Sequence, residues 1–257
     1  MYYMNKTNNE ALVSIITPSY NSAKYISETI NSVLNQSYSS WEMIIVDDCS
    51  TDNTIEVIKK FMFDHKNISL FENTINEGAA VSRNKAIKKA KGKYIAFLDS
   101  DDLWKKDKLE KQIKFMQDNN VDLSYSSFDL IDEEGRNLNK SKNPPDTLDY
   151  IELLKENQIG CLSAIYNQDN LGKYYMPLIR KRQDYGLWLS ILKKTKAYKV
   201  AENLAIYRVR TNSVSSNKIE MLKYNYQLFR DHENMSVIRA AYYVCWNIFR
   251  KIKNRGK

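Results

Sequence analysis

The strongest constraint on the fold is an alternation of short apolar runs with helical stripes over the first 116 residues. The runs, each short enough for one buried strand, are Leu12–Thr17, Trp41–Val46, Ile68–Phe71 and Tyr94–Leu98. Between them apolar residues recur at helical spacing, as at Ile26, Ile30, Val33 and Leu34, and again at Ile55, Ile58 and Met62. Strands that alternate with helices predict an α/β fold with a Rossmann-like, doubly wound and mostly parallel sheet.

Local signals predict where several of these elements end. Pro18 should end the first strand, because proline donates no hydrogen bond to a sheet. Asn21 or Ser22 should cap the first helix, and Gly92 should close the third helix, expected over residues 80–90.

Polar residues follow three of the predicted strands. They are Tyr20 and Asn21 after the first strand, Asp47 and Asp48 after the second, and Asp99, Ser100, Asp101 and Asp102 after the fourth. The acidic run could cap a helix that begins near Lys105, or it could hold a cation, since packed carboxylates repel one another. Ligands of such sheets bind beyond the carboxyl ends of the strands, so three polar clusters there favour a binding site.

The second half of the chain is less regular. Its predicted elements are a strand at Leu123–Phe128 with a hairpin turn at 133–136, a helix through Tyr150 and Leu154, a strand at Ile159–Tyr166, a helix at Tyr185–Lys194, a strand at Tyr198–Val209, a polar loop at Thr211–Asn217, and helices at about 218–231 and 235–252.

Composition narrows the class of protein. The chain has 257 residues and a net charge of +8, which suggests an anionic partner such as a nucleotide, a nucleic acid or a membrane surface. Cys49, Cys161 and Cys245 lie far apart, so we expect reduced thiols in a cytoplasmic protein. The first ten residues lack signal-peptide features, and no stretch has the ~18 apolar residues of a spanning helix.

Several motifs together resemble the family 2 glycosyltransferases, which are inverting nucleotide-sugar enzymes of GT-A fold. The matching stretches are TPSYN at Thr17–Asn21, IIVDDCSTD at Ile44–Asp52, NEGAAVSRN at Asn76–Asn84, GKYIAFLDSDDLW at Gly92–Trp104 and RQDYGLWL at Arg182–Leu189. YRVRTNSVSSNK at Tyr207–Lys218 resembles the members that build bacterial capsule, O-antigen and teichuronic-acid polymers. The resemblance implies a glycosyltransferase domain over 11–217, with a nucleotide-binding half at about 11–104 and an acceptor half at about 105–217. A frayed segment at 1–10 would precede it, and a helical, basic tail at 218–257 would follow.

The resemblance also implies a site for a UDP-sugar. Tyr20 would lie against the nucleotide base, and Asp48 would accept the N–H group of the base. Asp99 would approach the ribose, and Asp101 with Asp99 would hold the Mn²⁺ or Mg²⁺ ion that bridges the diphosphate. The other implied donor contacts are Pro18, Asn21, Arg83 and Ser100. Core packing is the alternative for Tyr20, and an exposed helix charge is the alternative for Arg83.

Asp184 matches the position of the family's catalytic base, with a helix cap as the alternative. Family members often carry Glu-Asp there, whereas this chain has Gln183-Asp184, which keeps the base and removes a neighbouring charge. Further contacts to the acceptor or the phosphates are expected from Asp102, Trp104, Arg182, Gln183, Arg208 and Arg210. The two histidines, His65 and His232, match no family position, so no histidine ligand is expected for the metal.

The last predicted helix is basic and amphipathic. Its apolar stripe is Ala241, Tyr242, Cys245, Ile248, Phe249 and Ile252, and Arg250, Lys251, Lys253, Arg255 and Lys257 cluster at its end. Such a helix binds a membrane surface, or its stripe packs on the domain or on a second subunit of a homo-oligomer. Membrane contact would suit an acceptor linked to a polyprenyl diphosphate, as the resemblance implies, and a protein peripheral on the inner face of the cell membrane.

Three other function classes fit the sequence less well. A dinucleotide-dependent dehydrogenase is disfavoured because TPSYN stands where G-x-G-x-x-G would follow the first strand. A nucleic-acid-binding protein fits the charge, but the basic residues are dispersed and form no binding motif, so we expect no nucleic-acid partner. A non-catalytic nucleotide- or sugar-binding relative is disfavoured by Asp101 and Asp184. We therefore predict metal-assisted, inverting transfer of a sugar from a UDP-sugar to a glycan hydroxyl group.

Overall fold

The first half of the chain alternates strands and helices as the apolar pattern predicts. The structure, a computed structural model, describes residues 10–210 and 218–253. The elements up to residue 118 are β1 (Val13–Ser19), α1 (Ile26–Leu34), β2 (Trp41–Asp47), α2 (Thr54–Asp64), β3 (Ile68–Glu72), α3 (Ala79–Lys89), β4 (Tyr94–Phe97), β5 (Leu103–Trp104) and α4 (Lys108–Asp118). Helix α1 buries Ile26, Ile30 and Val33 from its predicted stripe, which accounts for its place against the sheet.

The second half adds antiparallel strands and the C-terminal helices. Its elements are β6 (Leu123–Ile131), β7 (Asn137–Lys142), β8 (Thr147–Leu148), α5 (Tyr150–Lys155), β9 (Ile165–Asn167), α6 (Gln168–Leu171), α7 (Gln183–Leu192), β10 (Ala197–Arg208), α8 (Lys218–Gln227) and α9 (Val237–Lys253). The predicted hairpin is confirmed, because β6 and β7 pair antiparallel. The strand predicted over Ile159–Tyr166 is shorter, since a 3₁₀ turn occupies Cys161–Ser163. The predicted loop at 211–217 and the frayed segment, except for its last residue, lie outside the described residues.

The strands form one sheet in the order β3-β2-β1-β4-β9-β6-β10-β5. Strands β1 to β4 are parallel to one another, and β6 is parallel to β10. Strand β9 runs antiparallel to both of its neighbours and joins the two parallel groups. The sheet is therefore mostly parallel, as predicted. The chain order reverses around β1, and this is where an α/β sheet offers a ligand crevice.

Strand β1 does not end at Pro18, as the sequence analysis expected. The register pairs Pro18 with Val46 and Ser19 with Asp47 of β2. Pairing with β4, on the other side, already ends at Ile16, whose carbonyl accepts the N–H group of Leu98. The backbone nitrogen of Pro18 therefore points to the side on which no strand pairs with β1. A proline at this position costs the sheet no hydrogen bond.

The predicted helix caps are also wrong. Neither Asn21 nor Ser22 caps α1 through its side chain, because a turn at residues 23–25 precedes the helix and Tyr25 occupies the cap position. Gly92 does not have the left-handed backbone of a C-cap. A Cβ atom at Gly92 would lie 2.6 Å from the carbonyl oxygen of Leu12, so the glycine is needed where the backbone approaches β1 closely.

The core contains a buried lysine, Lys108 at the start of α4. Its side chain has no exposed surface, its Nζ donates to Gln112 Oε1 at 2.7 Å, and it lies 4.6 Å from the ring centroid of Trp104. Gln112 in turn donates to Ser124 Oγ and to the carbonyl of Ser163, each at 3.0 Å, which connects α4 to the sheet. Burial disfavours the charged amine and lowers the pKa of Lys108 to about 7.

We expect the replacement Lys108→Met to stabilise the protein near neutral pH. Between pH values of about 7 and 10.5 the unfolded chain holds a proton at Lys108 that the folded chain has released, so wild-type stability rises with pH in this window. The slope from one such group is at most about 1.4 kcal/mol per pH unit, and the variant should lack it.

Chemical denaturation of both proteins across this pH window measures the difference in slope. Lys60→Met, at an exposed position on α2, is the matched control and should follow the wild-type curve. Parallel curves for Lys108→Met and the wild type would contradict the assignment of a buried, neutral lysine.

Candidate active site

A cavity of about 980 Å³ opens at the carboxyl ends of the parallel strands. Its walls come from the segments after β1 and β4, the first turn of α3, the segment that leads into α7, and the end of β10. Side chains far apart in the sequence meet here because parallel strands end at the same edge of a sheet. The volume is at the upper end of the range for small-molecule sites, about 300–1,000 Å³.

Most of the predicted site residues line this cavity. They are Tyr20, Asn21, Arg83, Asp99, Asp101, Asp102, Arg182, Gln183, Asp184, Arg208 and Arg210. Four predicted residues are not part of the wall: Pro18, Asp48, Ser100 and Trp104. Pro18 is buried within β1, and Ser100 is partly buried between the two acidic residues that do line the cavity.

Tyr20 projects at the rim of the cavity rather than into the core. It is 49% exposed, so the core-packing alternative is wrong. The neighbouring Asn21 connects two loops of the rim: its Oδ1 accepts the N–H group of Thr51 at 2.8 Å, and its own N–H group donates to Ser50 Oγ at 2.9 Å. The loops after β1 and β2 are thereby held together next to the half-exposed ring of Tyr20.

Asp48 has structural partners for both of its carboxylate oxygens. Oδ1 accepts from Asn73 Nδ2 at 2.7 Å and from the N–H group of Glu77 at 2.9 Å, and Oδ2 accepts from the N–H group of Gly78 at 2.7 Å. Gly78 has a φ of 90°, so this turn into α3 uses a conformation that favours glycine. A contact between Asp48 and a nucleotide base would have to be added to these three hydrogen bonds.

Trp104 belongs to the core. It is 4% exposed, and its Nε1–H group donates to the carbonyl of Leu162 at 2.8 Å. Its ring also contacts the amine of Lys108. The predicted contact of Trp104 with an acceptor or a phosphate is therefore corrected to a structural role.

Asp102 differs from the other two acidic residues after β4. It is 2% exposed, and its Oδ1 accepts the backbone N–H group of Arg208 at 2.9 Å, which joins β4 to β10. Burial and the charges of Asp101 and Asp99 raise its pKa well above the usual range. Helix α4 begins only at Lys108, with Asp107 at its cap position, so the helix-cap interpretation of the acidic run is wrong.

Asp99 and Asp101 each have a guanidinium partner. Arg83 donates to Asp99 Oδ1 and, through Nη1, to Gln183 Oε1 at 3.0 Å, so it bridges the end of β4 and the start of α7. Arg83 is 9% exposed, which excludes the alternative of an exposed helix charge. Arg210 Nη1 lies 3.2 Å from Asp101 Oδ2. Burial and the charge of Asp99 raise the pKa of Asp101, whereas Arg210 lowers it.

The guanidinium group of Arg208 makes structural contacts within the protein. Its Nη2 lies 2.6 Å from Glu28 Oε2, its Nε donates to the carbonyl of Asp101 at 2.9 Å, and its guanidinium lies 4.8 Å from the ring centroid of Tyr25. The side chain is 1% exposed. The predicted phosphate contact therefore suits Arg210, whose side chain is 42% exposed, better than Arg208.

Asp99 and Asp101 fit a divalent cation that protein and substrate hold together. Among residues 10–210 and 218–253, no group of three or more His, Cys, Asp and Glu side chains is arranged to hold an ion alone. Mg²⁺ is usually bound through one or two carboxylates plus substrate phosphates, which matches this donor set. A cation here would also compensate the repulsion that raises the pKa of Asp101.

Asp184 lies in the first turn of α7 and faces the same cavity. The cap position of α7 is Arg182, which has a left-handed backbone with φ of 67°, so the cap alternative for Asp184 is wrong. Asn157 Nδ2 lies 3.4 Å from Asp184 Oδ2. Burial raises the pKa of Asp184, and the nearby charge of Arg182 lowers it. A carboxylate with a raised pKa is better suited to accept a proton than an exposed one.

Sequence reasoning missed part of the wall. The additional lining residues include Phe128, Lys142, Gly160, Cys161, Leu178, Arg180, Lys181 and Tyr207. Sequence signals existed for Arg180 and Lys181, next to the predicted base, and for Tyr207, the first residue of the motif at Tyr207–Lys218. The Phe128 and Tyr207 rings, with centroids 6.1 Å apart, meet only because β6 and β10 are neighbours in the sheet.

Comparisons with known sequences and structures agree with this geometry. Residues 14–243 match the model of Glycosyl transferase family 2. A Bacillus subtilis relative named as the teichuronic acid biosynthesis glycosyltransferase TuaG is 46% identical over 252 residues, which cover 98% of both chains. The Escherichia coli UDP-Glc:alpha-D-GlcNAc-diphosphoundecaprenol beta-1,3-glucosyltransferase WfgD is 40% identical, with 90% of each chain covered.

Among solved structures, TarS residues 1–349 of S. aureus with UDP has a TM-score of 0.69 at 21% identity, covering 94% of this chain and 72% of that chain. The mannosyltransferase PcManGT of Pyrobaculum calidifontis, with GDP-Man and Mn²⁺, has a TM-score of 0.66 at 19% identity, covering 90% of this chain and 69% of that chain. These structural matches show the GT-A fold. The chain therefore belongs to glycosyltransferase family 2 and is a glycosyltransferase.

Proposed function

We propose that this protein transfers a sugar from a UDP-sugar to a hydroxyl group of a polyprenyl-diphosphate-linked glycan, with inversion, in the biosynthesis of a bacterial surface polysaccharide. One observation carries the proposal: Asp99 and Asp101, which suit a metal–diphosphate, line the same cavity as Asp184, which suits a base. The names of TuaG and WfgD support the pathway and the acceptor class, and the UDP in TarS supports the donor class.

The donor half of the cavity binds and orients the nucleotide. The exposed face of Tyr20 stacks on the base, and Asp99 reaches the ribose. Asp101 and Asp99 would hold Mn²⁺ or Mg²⁺, which would offset the charge of the leaving diphosphate. Arg210, which lies 3.2 Å from Asp101, would then be available to a phosphate oxygen. One pair of unit charges ~4 Å apart at an effective dielectric constant of ~20 is worth about 4 kcal/mol.

The reaction is a single displacement. Asp184 removes the proton of the acceptor hydroxyl group, while the oxygen of that hydroxyl group forms a bond to the anomeric carbon. The bond from that carbon to the diphosphate oxygen breaks, and UDP leaves on the opposite face. The products are the extended glycan, UDP and protonated Asp184, which then loses its proton to water. A positioned base typically contributes ~10²–10⁴-fold.

Binding of UDP should depend on a divalent cation held by Asp101. We expect Asp101→Ala to bind UDP in the presence of Mn²⁺ no more tightly than the wild type does in EDTA, because the shared ion is lost. Calorimetry with UDP, with and without Mn²⁺, measures both affinities. Asp64→Ala, at an exposed position of α2, is the control. Equal UDP affinity in Mn²⁺ and in EDTA would contradict the metal role.

Asp184→Asn should bind UDP normally and lose transfer by ~10²-fold or more, since asparagine accepts no proton. In the wild type the rate should fall with decreasing pH as Asp184 becomes protonated. That decline should set in at a higher pH than for an ordinary aspartate, because burial raises its pKa. UDP release over a pH series measures both effects, with the exposed Asp169→Asn as control. A transfer rate near that of the wild type in Asp184→Asn would exclude it as the base.

Helix α9 supports a peripheral position on the inner face of the cell membrane. Its inner side buries Ala240, Tyr243 and Asn247. The described side chains of the predicted apolar stripe are exposed, namely Ala241, Tyr242, Cys245, Ile248 and Phe249, and the side chain of Ile252 lies outside the described part. In that stripe Tyr242 and Phe249 are each 55% exposed, so the alternative of packing on the same domain is wrong for them. None of the helices in the described ranges is long and apolar enough to cross a membrane. Exposed aromatic residues next to a basic cluster are typical of a helix that lies on an anionic membrane surface.

We expect the double variant Tyr242→Ser, Phe249→Ser to lose most of its co-sedimentation with anionic vesicles. Both side chains are exposed, so the fold should not depend on them. Tyr226→Ser, an exposed aromatic position on α8, is the matched control and should sediment like the wild type. Equal sedimentation of double variant and wild type would rule out the membrane role. A change from dimer to monomer would then assign the stripe to a second subunit.

A further inference from the structure

A second, smaller cavity adjoins the first, and Arg182 lines both. It has a volume of about 50 Å³ and is lined by Glu156, Asn157, Arg182, Tyr185, Asn225 and Asn247. We call it the polar chamber. Asn225 comes from α8 and Asn247 from α9, so the two C-terminal helices form one of its walls.

Two residues of the polar chamber also act on Asp184. Arg182 lines both cavities, and its charge is the strongest of those that favour the ionised form of Asp184. Asn157 Nδ2 lies 3.4 Å from Asp184 Oδ2. The position of Asp184 therefore depends on the contacts that hold Arg182 and Asn157 within the polar chamber.

Two polar atoms of the chamber are complementary. Counting only the described part of the chain, neither Arg182 Nε nor Asn225 Oδ1 has a hydrogen-bond partner, although both are buried. The first is a donor and the second an acceptor, so one water between them satisfies both. A water needs about 10–15 Å³ on this measure, which the chamber exceeds. Asn225 is 2% exposed, so bulk solvent does not meet this need.

Asn247 fixes the other side of the chamber. Its Oδ1 accepts from Asn225 Nδ2 at 2.5 Å, and its Nδ2 donates to the carbonyls of Leu154 and Lys155 at 3.0 and 2.7 Å. These carbonyls belong to the last turn of α5, which has no further helical N–H groups to satisfy them. Asn157 follows two residues later, so Asn247 sets the direction in which the chain leaves α5 toward Asp184.

We propose that Asn225 and Asn247 are positioning residues of the transferase: a buried water joins Arg182 Nε to Asn225 Oδ1, while Asn247 holds the segment that carries Asn157. The inference rests on the proposed role of Asp184 as base. It makes α8 and α9 part of the active site and not only a tail with a membrane face. Within the described part of the chain, other charged or titratable groups near Asp184 include Arg83, Asp99, Glu156, Cys161, Arg180, Lys181 and Tyr185.

The test is Asn225→Leu, which keeps the size of the side chain and removes both its acceptor and the donor that holds Asn247. The matched control is Gln227→Leu, the same loss of an amide at an exposed position two residues further along α8. With UDP-Glc and a GlcNAc-diphosphate-lipid as probes, we expect kcat of Asn225→Leu to fall about tenfold, a minor share of the ~10²–10⁴-fold of a base. KM for UDP-Glc and the affinity for UDP should stay at wild-type values. Unchanged kcat in a folded Asn225→Leu protein would overturn the proposal.

A second readout needs no turnover. The carboxyl carbon signal of Asp184, identified by its loss in Asp184→Asn, gives the pKa of this residue in the full-length protein. We expect that pKa to rise by about 0.5–1 unit in Asn225→Leu, because Arg182 is no longer held beside the carboxylate. If the wild type transfers sugar from none of the UDP-sugars, the proposed function fails, and this titration still decides the role of Asn225. An unchanged pKa would count against it.

Should Asn225→Leu fail to fold, a high-resolution crystal structure of the wild type decides the matter. We expect a water within hydrogen-bond distance of both Arg182 Nε and Asn225 Oδ1. A dry chamber, or a direct contact between the two side chains, would overturn the proposal.

Discussion

The structure depends most on how negative charge is compensated at the end of β4. Asp99, Asp101 and Asp102 lie within four residues, and they have two kinds of partner. Asp102 is buried against a backbone N–H group of β10, whereas Asp99 and Asp101 pair with Arg83 and Arg210. The hydrogen bond between Asp102 and the N–H group of Arg208 is part of the fold. Under the proposed function, the ion pairs of Asp99 and Asp101 would be exchanged for contacts with a divalent cation and a diphosphate.

The same ion pairs connect the two halves of the site. Arg83 holds Asp99 with one nitrogen and Gln183 with another, next to Asp184. The glutamine in place of the family's usual glutamate therefore has a physical reason, since its amide oxygen accepts from Arg83 while its amide nitrogen donates to the carbonyl of Ile179 at 2.9 Å. A glutamate could not make the second contact. Asp99, Arg83 and Gln183 are thus parts of one hydrogen-bonded unit, and Gln183 directly precedes Asp184 in the chain.

Local sequence patterns predicted the longer strands and helices and most of the cavity residues, because buried stripes and strand ends are encoded over a few residues. They did not predict the short elements β5, β8 and α6. Contacts between distant segments were not predictable in this way. Examples are the antiparallel β9 in the middle of the sheet, the capture of Asp102 by Arg208, and the wall of Phe128 and Tyr207. Trp104 was assigned wrongly for the same reason. It belongs to a motif that lies at the site, but its ring packs in the core.

The central claim is a single displacement in which the leaving UDP and the attacking hydroxyl group occupy opposite faces of the sugar. The stereochemistry of the product tests it most directly. UDP-Glc, whose glucose is α-linked, should be incubated with a GlcNAc-diphosphate-lipid and Mn²⁺, and the anomeric proton of the new linkage measured by NMR. The account predicts a β-linked disaccharide, because one displacement inverts the α configuration of the donor. An α-linked product would contradict the assignment of Asp184 as a base acting in one inverting step.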